Sequence, residues 1–316
     1  MRGSYDRAVS SLTHPNASQT PLAVMRRTLS RSASLSGITL FTGERASITI
    51  RPERDGRGIV FRRIDLPGQP AIRAGVIHVV PEARRTVLSA DPDERGAATV
   101  QTVEHVMSAL AGMGVTDAMV EVSGPEIPIG DGSATPFVEM IASAGVVTAG
   151  ATSRPTARVV ESIVIEDGTT RIEAHPTERA GLELTYRLEY PAGSPIAAQE
   201  ASVFVPLGMP AEGYAEGVAP ARTFCLRQEA EAMRAMGMFK HLSAREMLVI
   251  GEDGPIENEY RFADEPARHK LLDLLGDLAL CGRPVVGRVV ATRTGHSHNH
   301  AMAAKLAGLE NGIGSA

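Results

Sequence analysis

The pattern of the chain repeats in outline about an Ala-, Gly-, Thr-, Ser- and Pro-rich stretch at 149–156. Before it, apolar runs at 38–40 and 47–50 flank Thr42-Gly43-Glu44, the signature of a hairpin. A strand is expected at 58–63. Val103, Val106, Met107 and Leu110 then make the i, i+3, i+4, i+7 stripe of a helix over 102–112, stopped by Gly112 and Gly114. A strand at 118–122 and a helix at 133–145 follow, the latter with Ser133 as N-cap and Pro136 in its first turn. After the linker come strands at 158–166, 170–175 and 182–190, a Gly/Pro/Ala loop at 206–221, a short helix at 228–236 and a strand at 247–250. A long helix at 264–280, a strand at 285–293 and a last helix at 299–309 complete the chain. Two halves, each of strands with two helices, make this a duplicated unit of the α+β class.

The expected organisation is a flexible extension over 1–30, a first domain over 31–150 and a second over 155–316. Insertions fall at about 64–98 and 222–263. With 316 residues, a prior of roughly 150 per domain gives about two. The net charge of −5 lacks the basic excess of a general nucleic-acid binder, and the absence of Trp argues against stacked-base platforms. No window reaches ~18 uninterrupted apolar residues, so no membrane span is expected. Cys225 and Cys281 stand far apart outside any C-x-x-C, which fits a reducing, cytoplasmic setting without a disulfide framework. The first 30 residues are polar and lack the apolar core of a secretory signal. They read as a bacterial tail, an upstream start before Met25, or, from their arginines, a weakly transit-like segment. Lysine occurs only at 240, 270 and 305, every other basic side chain being arginine or histidine, so a lysine beside a candidate site is informative.

Four constellations carry chemistry. On the 264–280 helix, Leu271, Leu274, Leu275 and Leu278 share one face, while His269, Asp273 and Asp277 recur at i, i+4, i+8 on the other. That spacing suits a metal pair or a solvated surface. Glu104-His105 sits near the start of the first helix, off its apolar stripe. One His added to the His/Asp pair makes three N/O donors, the open set of a catalytic zinc; a solvated helix face is the alternative. The run Thr294-Gly295-His296-Ser297-His298-Asn299-His300 follows a strand. It offers a general acid, a metal site of its own at strand-like spacing, or a polar turn. Pro125 to Ser133 forms a glycine-bounded turn entering a helix, structural or anion-holding. No P-loop, dinucleotide or nucleophile-elbow motif is present.

Taken together, these segments resemble the UDP-3-O-acyl-N-acetylglucosamine deacetylases of lipid A synthesis. The matches are Thr102-Val103-Glu104-His105 with Ala109-Leu110-Ala111-Gly112, and Pro125-Glu126-Ile127-Pro128-Ile129 with Asp131-Gly132-Ser133-Ala134 and Pro136-Phe137-Val138. Ala221-Arg222-Thr223-Phe224, Asp264-Glu265, Arg268-His269-Lys270, Leu272-Asp273, Gly276-Asp277 and Gly295-His296 follow in the same order and spacing. The resemblance implies two similar α+β domains, each a sheet packed on two helices with a small insertion. It implies a zinc amidase that releases acetate from an acylated UDP-sugar, with Fe²⁺ able to replace Zn²⁺. His105, His269 and Asp273 would hold the ion and Glu104 would be the general base. His296 would be the general acid, oriented by Asp277, and Thr223 would stabilise the oxyanion. Phe224 and Lys270 would contact the sugar nucleotide, and the enzyme would act as a monomer. The chain departs from the family pattern at Phe41, where a His is common, at Cys225 in place of Gly, and at 240–246, where a Gly-Gly-Ser-x-x-Asn segment is replaced. The last bears on acyl length. Two other readings are a hydrolase of the same fold acting on another amide and a non-catalytic paralogue that binds a sugar nucleotide or acyl ligand. Retention of Glu104 argues against the latter, because a pure binder needs no general base.

Overall fold

The computed structural model describes residues 22–309 apart from 238, 240, 244 and 245. The first half contains β1 (Ala23–Leu29), β2 (Ala33–Ile38), β3 (Arg45–Pro52), β4 (Ile59–Arg63), β5 (Ala71–Arg73), β6 (Val79–Val80), β7 (Val87–Ser89) and β8 (Thr99–Gln101). Helix α1 (Glu104–Gly112), β9 (Ala118–Val122), α2 (Thr135–Ala144) and β10 (Val146–Pro155) follow. The second half opens with β11 (Ala157–Arg158), β12 (Ile163–Asp167), β13 (Thr170–His175), β14 (Gly181–Leu188) and β15 (Gln199–Pro206). It continues through α3 (Tyr214–Gly217), β16 (Phe224–Leu226), α4 (Arg227–Ala235), β17 (Leu248–Gly251) and β18 (Gly254–Pro255). Helix α5 (Glu265–Leu278), β19 (Val285–Thr292) and α6 (His296–Ala307) end it.

The duplication is visible in the topology. One sheet runs β2-β3-β9-β4-β5 and the other β12-β13-β19-β14-β15, with β11 added beside β19. In each, the last strand of the unit inserts into the middle, antiparallel to the second strand and parallel to the third. A parallel pair requires a long crossover. The crossover from β4 to β9 carries α1, and the one from β14 to β19 carries α5. The central strands read as their position demands: β9 is buried at four of its five positions, whereas β3 alternates Ala46, Ile48 and Ile50 inward with polar neighbours outward. The helices of the two halves meet between the sheets, α1 against α5, and one continuous apolar core joins both halves. The two insertions form their own three-stranded sheets, β6-β7-β8 and β16-β17-β18, and the second carries a separate small core around Leu40, Ile129, Cys225 and Phe239.

The structure corrects three expectations. The extension expected over 1–30 contains a strand: β1 pairs antiparallel with β10, which occupies the stretch read as a linker; residues 1–21 lie outside the described residues. The cause is a buried charge cluster with no local signal. Asp117, fully buried, accepts from the Arg154 Nη2 at 2.7 Å and lies 3.4 Å from the Arg26 Nε, so one carboxylate ties both strands to the core. The single strand expected at 158–166 is split, because β11 pairs with the start of β19 and β12 with β13. Strand β15, unannounced in the sequence, pairs with all of β14.

Candidate active site

Helices α1 and α5 approach more closely than ordinary side chains allow. A Cβ added to Gly276 would lie 2.1 Å from the backbone oxygen of Glu104. Glycine inside a helix costs about 1 kcal/mol relative to alanine, and here that cost permits backbone contact at the residue preceding His105. The start of α1 is further fixed by Thr102, a β-branched residue at φ 59°. Such a conformation persists only where surroundings enforce it. Its N–H donates to the Thr86 carbonyl at 2.9 Å and its hydroxyl to Glu126 at 3.3 Å. Gly276→Ala therefore separates the helices, and we expect it to lower both turnover and Tm. Helix propensity alone would raise Tm, so a higher Tm in thermal unfolding would contradict the close-approach argument.

The polar face of α5 is not a solvated surface. His105, His269 and Asp273 are 3%, 2% and 3% exposed. Their ligand atoms lie within 4.8 Å of one another, with the His105 Nε2 3.7 Å and the His269 Nε2 3.5 Å from the Asp273 Oδ1. These are too long for hydrogen bonds. They are near the ~3.3 Å that separates two N/O donors sharing a tetrahedral ion at about 2.0–2.1 Å. The Asp273 Oδ1 is buried and has no hydrogen-bond partner, an arrangement that is costly unless something positive fills it. The His269 Nδ1–H donates to the Ala221 carbonyl at 3.0 Å, which aims the Nε2 lone pair at the same point. Protonation agrees. Burial, then the neighbouring His269, pushes His105 down to about 3, and burial likewise lowers His269, so both imidazoles are neutral. Burial opposes the Asp273 carboxylate, but Lys270, whose Nζ donates to its Oδ2 at 2.7 Å, holds it ionised below the usual range. All three donors are thus in the state a cation requires.

Beside this triad, Glu104 is 3% exposed and accepts from the Thr86 N–H at 3.1 Å. Burial pushes its carboxyl up to about 8. Asp277 is fully buried and accepts from the His296 Nδ1–H at 2.8 Å. Burial works against a charged His296, yet Asp277 outweighs it and raises His296 to about 9. The histidine run lies on helix α6 and not on a strand. His296 and His300 therefore fall one turn apart on one face, and His298 lies apart from them, with its Nε2 4.0 Å from Asp167. Asp277, His296 and His300 also cluster, but His300 and Thr86 meet one Asp277 oxygen while His296 and Asn299 meet the other. Four hydrogen bonds fill the carboxylate's roughly four acceptor sites, and none is left for a cation.

Phe224 and Lys270 border the triad: the Phe224 ring stands edge-on to His269 at 6.2 Å, and the Lys270 Nζ lies 5.8 Å from the Phe224 ring centroid. Thr223, half-buried, lies between Phe224 and the Arg222 that forks onto the buried Glu265 at the start of α5. Its N–H donates to the Gly132 carbonyl at 2.8 Å, and Gly132 sits at φ 84° where a Cβ would meet the Glu246 carbonyl at 2.2 Å. The glycine-bounded turn thus packs the Thr223 segment, and its Asp131 pairs with Arg261 at 2.8 Å. Two of the three departures from the family pattern lie close together. Phe41 packs on Phe239 at 5.4 Å with Arg85 stacked 4.2 Å over its ring, and the His241 Nε2 lies 3.1 Å from the Thr39 and Leu40 carbonyls. Lys240, Ala244 and Arg245 of the altered segment lie outside the described residues. Sequence reasoning missed two contacts. The i, i+3 pair of Lys270 and Asp273 was legible in the spacing. Thr86 lay in an insertion with no period and gave no signal.

The sequence profile of the UDP-3-O-acyl N-acetylglycosamine deacetylases matches residues 26–308. A protein of Geobacter sp. (strain M21) is 38% identical over 284 residues, covering 90% of this chain and 89% of its own. One from Anaeromyxobacter dehalogenans (strain 2CP-C) is 41% identical over 282 residues, covering 89% and 87%. One from Thermosynechococcus vestitus (strain NIES-2133 / IAM M-273 / BP-1) is 39% identical over 287 residues, covering 90% and 95%. All three are named UDP-3-O-acyl-N-acetylglucosamine deacetylase.

Proposed function

The chain belongs to the UDP-3-O-acyl N-acetylglycosamine deacetylase family, and from that premise we propose that it hydrolyses the N-acetyl amide of UDP-3-O-(3-hydroxyacyl)-N-acetylglucosamine in lipid A biosynthesis. The products are acetate and the free 2-amino sugar nucleotide. The observation that carries the reading is the buried His105/His269/Asp273 triad, with its orphaned carboxylate oxygen, lying beside a second buried carboxylate, Glu104. We assign the triad to Zn²⁺, and Fe²⁺ suits the same N/O donors. The bound ion supplies Lewis acidity to the amide carbonyl and to the attacking water.

The remaining chemistry belongs to side chains. Glu104, whose carboxyl burial pushes up to about 8 and which a cation at the triad would keep ionised, takes the proton from the attacking water. His296 carries its proton on Nε2, because the Nδ1–H is committed to Asp277, and delivers it to the departing amine. Asp277 holds that imidazolium charged and oriented. Thr223 donates to the developing oxyanion, and Phe224 with Lys270 binds the sugar nucleotide. The Lys270 ammonium has three donors, one of them already given to Asp273. Every one of these residues comes from a single chain, so a monomer suffices. Two buried free thiols suit the reducing cytoplasm, and no helix among the described residues is long and apolar enough to cross a membrane.

The raised His296 fixes a pH dependence. The acid is charged below about pH 9 and loses its proton as pH rises through that value. A cation at the triad repels the imidazolium and lowers this limit. A pH profile of kcat should therefore fall on its basic side at or somewhat below about pH 9, and His296→Gln should remove that limb. The reading itself is tested by mass spectrometry of the purified chain's products. The acylated N-acetyl substrate should lose one acetyl group, with the ester and the nucleotide intact. Hydrolysis of the ester, or no change with the metal-loaded enzyme, would overturn it.

A further inference from the structure

Thr86 lies outside every assigned role, yet its backbone and its hydroxyl together reach Glu104, Asp277 and His296. It is fully buried in the loop entering β7. Its N–H donates to the Glu104 Oε2 at 3.1 Å. Its carbonyl accepts from the N–H groups of Thr102 at 2.9 Å and Val103 at 3.4 Å, the two residues that precede α1. Its hydroxyl reaches the Asp277 Oδ1 at 2.6 Å, the His300 Nε2 at 3.0 Å and the His296 Nδ1 at 3.3 Å.

Donor bookkeeping decides what this hydroxyl does. An ionised carboxylate only accepts, so the single Thr86 O–H goes to Asp277. The hydroxyl lone pairs are then free to share the single His300 Nε2–H with that same Asp277 oxygen, at 3.0 and 3.2 Å. The other Asp277 oxygen accepts from the His296 Nδ1–H at 2.8 Å and the Asn299 Nδ2 at 2.9 Å. Asp277 is thereby saturated and pinned from two sides, by Thr86 and by three residues of α6. A carboxylate so fixed holds the His296 ring in one tautomer and one plane.

We propose that Thr86 is a positioning residue that locks the general base and the acid pair into one frame, its backbone N–H setting the Glu104 carboxylate and its hydroxyl, supported by His300, setting Asp277 and through it His296. The insertion of the first half thus reaches the acid supplied by the second half. This rests on the roles proposed above for Glu104 and His296. The step is purely one of orientation, with no new bond made or broken.

The test separates backbone from hydroxyl. Thr86→Val keeps the shape and the N–H to Glu104 but removes the donor to Asp277. Hydrogen bonds to charged groups are worth about 1.5–3 kcal/mol, so kcat should fall about 10- to 100-fold. KM and bound metal should stay as in the parent enzyme, and the downfield NMR resonance of the His296 Nδ1–H should shift or broaden. Thr86→Ser restores the donor and should recover most of kcat and the resonance. His300→Ala removes the supporting donor and should show a smaller loss of the same kind. Parental kcat in a folded, metal-loaded Thr86→Val enzyme would overturn the inference, as would a Thr86→Ser enzyme no better than the valine variant. If the parent enzyme itself releases no acetate, the failure lies with the proposed function and not with Thr86.

Discussion

Replacing Asp273 with alanine should leave the purified chain without a metal ion and reduce turnover to that of metal-stripped enzyme. The side chain is 3% exposed and supplies the only carboxylate of the triad. Without it, two neutral, buried imidazoles remain, edge to face with their ring centroids 5.1 Å apart. They offer a dication no compensating charge. The substitution also strands the Lys270 ammonium, whose proton affinity is held above the usual lysine range, against its burial, chiefly by Asp273. An ammonium left unpaired beside the two imidazoles disfavours a cation still further. Metal analysis after gel filtration should show near-complete loss, where the parent chain carries about one ion per catalytic zinc site. Asp273→Asn is the shape-preserving control and should lose metal as well, because the amide lacks the charge. Full metal occupancy in either variant would place the ion elsewhere.

Glu104→Gln is the complementary experiment, with turnover lost and metal kept. The amide can still accept from the Thr86 N–H, so the start of α1 and its contact with Gly276 survive. What disappears is the proton acceptor. General-base catalysis contributes about 10²- to 10⁴-fold, and kcat should fall by that amount at unchanged metal content. In metal-stripped protein a buried carboxyl pushed up to about 8 destabilises the fold when ionised, so the stripped variant should melt at a slightly higher temperature than the stripped parent at alkaline pH. Parental kcat would remove Glu104 from the mechanism. Metal loss would mean that it acts as a ligand.

The features that sequence made legible are those written at short range. The i, i+4 spacing of His269, Asp273 and Asp277 placed all three on one face of α5, and Glu104-His105 fell at the start of α1 as its apolar stripe required. The hairpin between β2 and β3 followed from its turn residues, and β9 and β13 followed from their β-branched and alternating patterns. What stayed hidden depends on partners far along the chain. Nothing in the 264–280 segment announces that its polar face is buried; that follows from Gly276 resting on the Glu104 backbone. Strand β1 falls at the end of a stretch read as an extension and β10 in one read as a linker, and their pairing is secured by Asp117, which lies between them in sequence and shares its charge with Arg26 and Arg154. His296, His298 and His300 stand at every second position, a spacing that fits either a strand or a helix. Only the helix that begins at His296 shows that two of them, one turn apart, converge on Asp277. Thr86 connects through atoms of several different elements, and a single residue in an aperiodic insertion carries no pattern to read.

In the proposed reaction His105, His269 and Asp273 would hold a cation that polarises the acetamide of an acylated sugar nucleotide, and Glu104 would be the base for the attacking water. The most direct test is acetate release from UDP-3-O-(3-hydroxyacyl)-N-acetylglucosamine by the full chain, measured after stripping the metal and during stepwise return of Zn²⁺. Acetate release should be abolished by stripping and should return in proportion to zinc up to about one equivalent. Release that persists in the stripped enzyme, or that fails to return when the triad is refilled, would contradict it.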